Sequence, residues 1–398
     1  MTPQRAFELI RHALSPVESE ARALADAHGA VLREVALAAT DLPPFDQSAM
    51  DGYALAAADL DAAKGRRLPV EGVSAAAPSE ARPTLQGGTT MRIFTGGMVP
   101  IGADTVVPQE DVEVREGVAG FGEVRAGACI RKQGEEVRAG DVLLEPGARL
   151  DAGRIAALAM AGIERVVVTR PLRVACFVGG DEIVSAGTTL GPGQVYDANG
   201  PLLRAFLERE DLSFSVDRLP DDLEQTKRAI DAALRGHDLV LTTGGVSVGE
   251  RDFVVPAARA LGLDERFWKI AQKPGKPLYC ATRGPAMLIG FPGNPGAVFA
   301  GLSIVGRLAI DALSGHAKPG PRWRTGVLRE SVRRPRGRDL WLRVQTDVDA
   351  GGLVGLTPLP GQASHMLSNL ARCDALAWVP TGEGPIAAGT RVPWCATR

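Results

Sequence analysis

The sequence predicts a multidomain α/β and β protein, in which a central doubly wound α/β domain is flanked on both sides by β-rich modules. Three observations carry that prediction. Between residues 171 and 313, apolar strand-like runs alternate with helical stretches of about 10–18 residues, the rhythm of a parallel sheet with helices on both faces. Before residue 150 and after Pro319, short apolar runs are separated instead by Gly, Pro and charged turns. Gly (47) and Pro (28) together are 75 of 398 residues, or 19%, so the chain turns often; the usual share is ~12%.

Composition bounds the function. At ~100–200 residues per domain the chain makes two to four domains. Lys plus Arg total 45 and Asp plus Glu 47, a net charge of −2, which argues against nucleic-acid or membrane-surface binding by bulk charge. Cys129, Cys176, Cys280, Cys373 and Cys395 are scattered and form no CxxC pair, and the five histidines show no metal-ligand spacing. Arg5, Glu8 and Arg11 interrupt any signal-peptide core, and no stretch is read as approaching the ~20 apolar residues of a membrane span. A cytoplasmic protein is expected.

Taken in order, residues 2–14 are expected as an amphipathic helix capped by Thr2, with Pro3 in its first turn. A second helix is expected over 18–27, closed by Gly29, then a strand over 31–37. Pro43-Pro44 opens a loop of unusual composition, PPFDQSAMDGYA. Strands are expected over 91–94, 105–107 and 141–144, a helix over 151–162 and a strand over 165–169. Pro171 marks a boundary. The α/β series follows, with strands over 172–178, 212–218, 238–243 and 286–290. Its helices are expected over about 200–209, 221–234, 252–261 and 295–313. Strands over 324–328, 340–345, 353–356 and 375–379 predict a small C-terminal β domain or barrel.

In a doubly wound sheet, ligands collect beyond the carboxyl ends of the strands where the strand order switches. Two turns are equipped for this: Val178-Gly179-Gly180-Asp181-Glu182, and the run from Thr243 through Gly244, Gly245, Ser247 and Gly249 to Asp252. Glycines let backbone amides approach an anion, and a helix start favours negative charge. Asp252 also suits a plain helix cap. Lys269, Lys273 and Lys276 fall within eight residues around a Pro-Gly turn, after Phe267-Trp268. They form either a solvated basic face or a contact for a phosphate-rich or oxyanionic substrate. In Phe291-Pro292-Gly293-Asn294-Pro295-Gly296, Pro295 at the first helical position and Asn294 as its cap would explain much of the segment without function. Gly245-Val246-Ser247-Val248-Gly249 matches the GxSxG elbow of serine hydrolases. The elbow places its Ser at the strand-to-helix turn, however, whereas this helix is expected near Asp252, and only His316 and His365 follow.

Several of these segments together resemble one family, the MoeA-type molybdopterin molybdenumtransferases, which include the C-terminal domain of gephyrin. The resemblance spans essentially the whole chain. It rests on PPFDQSAMDGYA (43–54), IFTGGMVPIGADTVV (93–107), GDEI (180–183), GGVSVGERD (244–252), WKIAQKPGKP (268–277) and FPGNP (291–295), with GQASHMLSNL (361–370) a looser piece. It implies four domains: an elongated part-helical domain from 1–43 and 136–170, a β domain over 44–135 interleaved with it, an α/β molybdopterin-binding domain over 171–315, and a C-terminal β-barrel-like domain over 316–398.

The resemblance further implies a reaction. Molybdenum from molybdate is inserted into the dithiolene of adenylated molybdopterin, with Mg2+-dependent hydrolysis of the adenylate to AMP. It implies Asp51, Glu182 and Asp252 as acidic catalytic and metal-binding residues, with Asp221 or Asp222 a fourth, and Lys269 and Lys273 as catalytic cations. Thr95, Asp181, Gly244, Gly245, Ser247, Lys276, Pro292, Pro295, Arg343 and Ser364 would contact substrate, the last pair in an anion pocket. A homodimer sharing its site between subunits is implied, as are two kinds of partner: the protein that adenylates molybdopterin, and molybdoenzyme acceptors or cofactor-modifying proteins. Val178-Gly179-Gly180 replaces the family's Ser-Thr-Gly, and Gly134-Glu135-Glu136 its Gly-Glu-Asp. Arg372-Cys373-Asp374 stands for Ala-Asn-Gly. The alternatives are a non-catalytic molybdopterin-binding scaffold on the same fold, a tungstate-handling paralogue, or the serine hydrolase.

Overall fold

The computed structural model describes residues 1–60, 65–78, 80–208 and 211–397. The chain opens with α1 (Pro3–Ala13), where the Arg5 amide donates to the Thr2 hydroxyl at 3.3 Å and Phe7 and Ile10 are buried. The helix expected over 18–27 is instead a strand, Ser19–Ala23, and one tight helical turn, Leu24–Asp26. The strand pairs with Arg165–Thr169, and a ten-residue helix is too short to compete with such a ladder. The strand expected over 31–37 reduces to single bridges at Val31 and Leu32 and the short pair Ala36–Leu37. There the chain passes between two compact units, one formed by Met1–Glu34, Pro146–Asp151 and Val166–Arg398, the other by Val35–Glu145 and Ala152–Arg165.

The smaller unit is built on six strands: β1 (Gly52–Leu55), β2 (Arg67–Ser74), β3 (Thr90–Ile93), β4 (Thr105–Pro108), β5 (Val112–Arg115) and β6 (Val118–Phe121), in the order β4-β1-β3-β2-β6-β5. Its two faces bury separate clusters, Leu55, Leu68, Val107 and Phe121 on one and Ala54, Ile93, Val99 and Val106 on the other. Helix α2 (Ala152–Met160) belongs to the same unit. A Cβ at Gly52 would lie 2.1 Å from the Val107 carbonyl oxygen, so only glycine fits after Asp51.

The larger unit holds the α/β sheet: β7 (Leu172–Gly179), β8 (Leu212–Leu219), β9 (Leu239–Thr243), β10 (Asp264–Trp268), β11 (Tyr279–Arg283) and β12 (Ala286–Phe291), in the order β8-β7-β9-β12-β11-β10. The first four are parallel; β11 runs antiparallel to β12, and β10 antiparallel to β11, so the parallel sheet expected from the sequence is a mixed one. Alternation along β7 sends Val174, Cys176 and Val178 into one core with α1, α3 (Asn199–Leu207) and the segment 295–314, and Ala175 into the other. That second core is closed by α4 (Leu223–Gly236) and α5 (Val254–Ala260), which makes the sheet doubly wound. Residue 209 of the helix expected over 200–209 lies outside the described residues.

The helix expected over 295–313 is α6 (Pro295–Gly301) and α7 (Arg307–Ser314), joined by a π-helical turn, Leu302–Gly306. Contrary to expectation, this 20-residue run is long and apolar enough for a membrane span. It is, however, 78% buried within the protein, as a core helix is. The C-terminal strands β13 (Arg324–Leu328), β14 (Asp339–Val348), β15 (Val354–Pro358), β16 (Ala375–Val379) and β17 (Arg391–Ala396) close on themselves through a β14–β16 pairing, giving the barrel.

Candidate active site

The carboxyl ends of β7, β9 and β12 converge through glycines. A Cβ on Gly244 would stand 3.3 Å from the Gly179 carbonyl oxygen, and one on Gly293 only 3.6 Å from the Gly244 Cα. Gly244 and Gly245 both adopt positive φ (+89° and +70°), which side chains resist. The Gly244 amide is already engaged by the Phe291 carbonyl at 2.9 Å. By contrast the amides of Gly245, Val246, Ser247 and Val248 have no acceptor among the described residues. Helix α5 begins only at Val254, so this row of amides, rather than a helix end, offers the anion contact. Trp268 fixes the turn by donating its indole N–H to the Val246 carbonyl at 2.9 Å.

Each acid has a distinct setting. Asp252 caps no helix; Phe253 occupies that position, and the Asp252 carboxylate accepts the Gly249 amide at 2.7 Å, closing the loop on itself. Glu182 folds back over Gly180, where a Cβ would meet its carboxylate at 2.8 Å. Of the neighbouring pair, Asp222 is the N-cap of α4, accepting the Gln225 amide at 2.8 Å, and is therefore drawn away from a metal role. Asp221 instead faces the acids: its carboxylate lies 3.4 Å from the Asp181 amide. Burial, and the charges of Asp181 and Glu182, push the Asp221 carboxyl above its ordinary range against the pull of that amide and Arg251. Among the described residues no three His, Cys, Asp or Glu side chains already converge as a metal requires.

The lysine turn is anchored from beneath. The Lys269 amide bonds the Leu278 carbonyl and the Ile270 amide the Lys276 carbonyl, both at 2.9 Å. Buried Gln272 donates to the Gly275 carbonyl and accepts the Trp341 indole N–H. Gln272-Lys273 also adds a short parallel strand to β14. Lys273 and Lys276 are left exposed and Lys269 lies over the Trp268 ring at 4.1 Å; none of the three has a carboxylate partner among the described residues. A Cβ on Gly275 would touch Ala297 at 3.7 Å, so this turn abuts the start of α6.

Two expectations about the barrel and the FPGNP turn change. Asn294 stands at the N-cap position of α6 as expected, but its side chain makes no capping bond; instead it donates to the Ser364 hydroxyl at 3.2 Å, while the Gly296 amide donates to the Ser364 carbonyl at 3.1 Å. Asn199, which the sequence reading did not single out, holds the same turn by donating to the Gly293 carbonyl at 2.8 Å; its signal was an Asp-Ala-Asn-Gly turn before a helix. Arg343 is 1% exposed, and its guanidinium donates to the Met366, Gly361 and Ala363 carbonyls at 2.6–2.9 Å. Burial pulls it below its ordinary value. It is thus not open to an anion, but holds the loop that presents Ser364 to the FPGNP turn. Pro292 and Pro295 frame that turn.

Ser247 is exposed in mid-loop, and no histidine hydrogen-bonds it among the described residues, so the elbow reading has no triad. Burial pushes the Cys176, Cys280 and Cys395 thiols up to about 12 and Cys373 to about 11, which removes them as nucleophiles.

In the smaller unit Asp51 and Thr95 form one device. The Thr95 amide and hydroxyl both donate to the same Asp51 oxygen at 2.8 Å, leaving the second oxygen without a partner among the described residues. The Thr95 amide, its hydroxyl and the Arg92 charge hold the Asp51 carboxyl below its ordinary range, so it is a carboxylate at neutral pH. Arg92 is itself flanked by the Tyr53 and Phe94 rings.

Three family models cover the chain in order: MoeA N-terminal region (domain I and II) over residues 1–162, a probable molybdopterin binding domain over 177–312, and MoeA C-terminal region (domain IV) over 325–396. The molybdopterin molybdenumtransferase of Haemophilus influenzae is 33% identical over 384 residues, 95% of this chain and 93% of that protein. That of Staphylococcus epidermidis is 30% identical, over 92% of this chain and 88% of its own. The molybdopterin biosynthesis MoeA protein from Pyrococcus horikosii superposes with a TM-score of 0.81 at 27% identity, covering 100% of this chain and 99% of that one. With its glycine turns, lysine turn and barrel in the same succession, the chain belongs to the MoeA family of molybdopterin molybdenumtransferases.

Proposed function

We propose that this chain completes the molybdenum cofactor, transferring molybdenum from molybdate to the dithiolene of adenylated molybdopterin as the adenylate is hydrolysed to AMP. The observation that carries the reading is a set of positive groups the fold leaves unengaged. Lys269, Lys273 and Lys276 lack carboxylate partners among the described residues, and the amides of Gly245 to Val248 lack acceptors. Both substrates are anions. A tetrahedral oxyanion needs amides and ammonium groups, and a rigid turn presents them without an ordering cost at binding.

Mg2+ fits the acids in part. It takes oxygen ligands, keeps several waters and is usually bound by one or two carboxylates together with substrate phosphates. The like-charge crowding of Asp181, Glu182 and Asp221 supports a cation there, Glu182 and Asp221 being the ligands offered by this unit, with Asp252 on the adjoining loop. When bound, the cation would supply charge neutralisation at the phosphoanhydride. Asp51, kept ionised by Thr95, is offered as the acidic contribution of a second copy in a homodimer. A cytoplasmic setting, the adenylating protein and molybdoenzyme acceptors complete the reading.

The chain's own residues then have separable roles. The glycine turn lets the substrate approach the backbone, the lysines hold oxyanions, and Arg343 and Asn294 place Ser364. Single-turnover release of AMP from adenylated molybdopterin, with Mg2+ and molybdate, tests it. Wild type should release AMP only with molybdate, and Asp51→Ala and Lys273→Ala should each slow release at least a hundredfold. Release unaffected by both substitutions removes the proposed site.

A further inference from the structure

A near-neutral total hides a local excess of charge. Seven of the chain's 45 Lys and Arg residues fall within residues 322–338 against a single acid, Glu330, so this stretch carries +6 in a chain of net charge −2. Arg329 is neutralised by Asp347 and Asp349, and Arg324 lies over the Trp394 ring at 5.5 Å. Arg334 braces its own loop, its guanidinium donating to the Gly384 carbonyl at 3.0 Å and to the Glu383 carbonyl. Arg333, Arg336 and Arg338, by contrast, have neither a carbonyl nor a carboxylate partner among the described residues. The turn that carries them is held at both ends. Val332–Arg333 pairs antiparallel with Pro385–Ile386, and the Ser331 hydroxyl donates to the Ile386 carbonyl at 3.1 Å. On the return side the buried Asp339 carboxylate accepts the Thr381 amide and the Trp378 indole N–H, both at 2.9 Å. The Asp339 amide donates to the Ala271 carbonyl at 2.9 Å, and Asp339 and Leu340 are the register partners of Gln272 and Lys273. Arg338 is thus one residue from the pairing that supports the lysine turn.

We infer that this arginine turn docks an acidic segment of a partner protein beside the lysine turn. Small ligands are held in concave sites that bury most of their surface, whereas Arg333, Arg336 and Gly337 are exposed. Nucleic acid is disfavoured by the net acidic remainder of the chain, and residues 331–340 and 380–390 contain no aromatic ring on which a base could stack. A carboxylate-rich protein segment fits on each count. Guanidinium forks take carboxylates bidentately, arginine is enriched at protein interfaces, and opposite charge speeds encounter. That such a partner brings or removes pterin rests on the proposed reaction; the docking itself does not.

Fluorescence anisotropy of a labelled twelve-residue peptide of alternating Glu and Ser tests it, titrated with the purified full chain at about 0.15 M salt. The same peptide with Gln for Glu, and a single-stranded oligo-dT, are the comparison probes. Wild type should bind the Glu peptide, and an Arg333→Gln/Arg336→Gln/Arg338→Gln variant should bind it at least tenfold more weakly. The melting temperature should not move, because none of the three arginines has an internal partner to lose. Lys273→Ala/Lys276→Ala should bind the peptide nearly as well as wild type. No binding by wild type, equal binding by the arginine variant, or a loss confined to the lysine variant overturns the inference. So does a Gln peptide or an oligo-dT bound as tightly as the Glu peptide. Molybdate-dependent AMP release should be the same in wild type and the arginine variant; release lost in that variant alone would make the turn a substrate contact and overturn the docking role. If release fails in both while the variant still weakens peptide binding, the proposed reaction falls and the docking surface stands.

Discussion

Arg343 and Lys273 carry the same charge on adjoining strands, Lys273 pairing with Leu340 three residues from Arg343, yet the fold treats them in opposite ways. Along β14, Leu340, Leu342 and Val344 point into the barrel core while Trp341 and Arg343 point out of it. Arg343 is therefore enclosed between the barrel and the loop over 361–366, where three carbonyls engage it. Lys273 stands on a turn whose backbone is tied at the Lys269, Ile270, Gln272 and Leu278 amides, and its side chain is exposed. A buried cation that has its partners is architecture; an exposed one without them, on a rigid support, is available to a ligand.

The largest expected effect follows from the enclosed member. Arg343→Ala removes a buried side chain and the donors that tie down the Met366 and Ala363 carbonyls, Gly361 keeping the Asn369 amide, and should lower the unfolding free energy by about 3 kcal/mol in denaturant titrations. Arg343→Lys should recover only part of it, since an ammonium cannot match the guanidinium fork. A loss confined to activity would blur the distinction between the two cations. A half-buried ion pair, Arg170 with Asp238, offers the next effect. Burial alone would raise the Asp238 carboxyl, but two 2.8 Å bonds from Arg170, the Arg173 amide and both charges hold it below its ordinary 3.8. Such a depressed carboxyl contributes stability that is present above pH 3.8 and lost as pH falls through its folded value. Asp238→Asn should therefore cost about 2 kcal/mol at pH 7 and less near pH 3, measured by unfolding at both.

Smaller still is the effect at Asp222. Asp222→Ala should cost about 1 kcal/mol as a lost cap and leave AMP release within about twofold of wild type. Asp221→Ala should impair release without that loss of stability. The reverse pattern would make Asp222 the metal ligand. Ser247→Ala should change neither stability nor turnover rate, because the reaction needs no protein nucleophile; an abolished turnover would restore the hydrolase reading.

The parts legible in sequence were those whose physics is local. The positive-φ glycines at 244 and 245, the Pro-Gly turn at 274–275 and the Thr2 cap depend on their immediate neighbours. The strands of the parallel half were equally plain, because buried strands are continuous apolar runs. What escaped depends on partners far along the chain. Residues 18–27 read as a helix until Arg165–Thr169 pairs with Ser19–Ala23 within them. The guanidinium of Arg343 reads as an anion contact until the barrel register encloses it. β11 was missed although Arg283-Gly284-Pro285-Ala286 carries a two-residue hairpin signal between strands, with Arg283 opposite Ala286.

The contrast between the two cations is tested most directly by equilibrium titration of molybdate into wild type and a Lys273→Ala/Lys276→Ala double variant, with melting temperatures taken on the same preparations. The account predicts at least tenfold weaker molybdate binding at an unchanged melting temperature. Equal affinity in the double variant, or a weakened affinity that merely tracks a lower melting temperature, would contradict it.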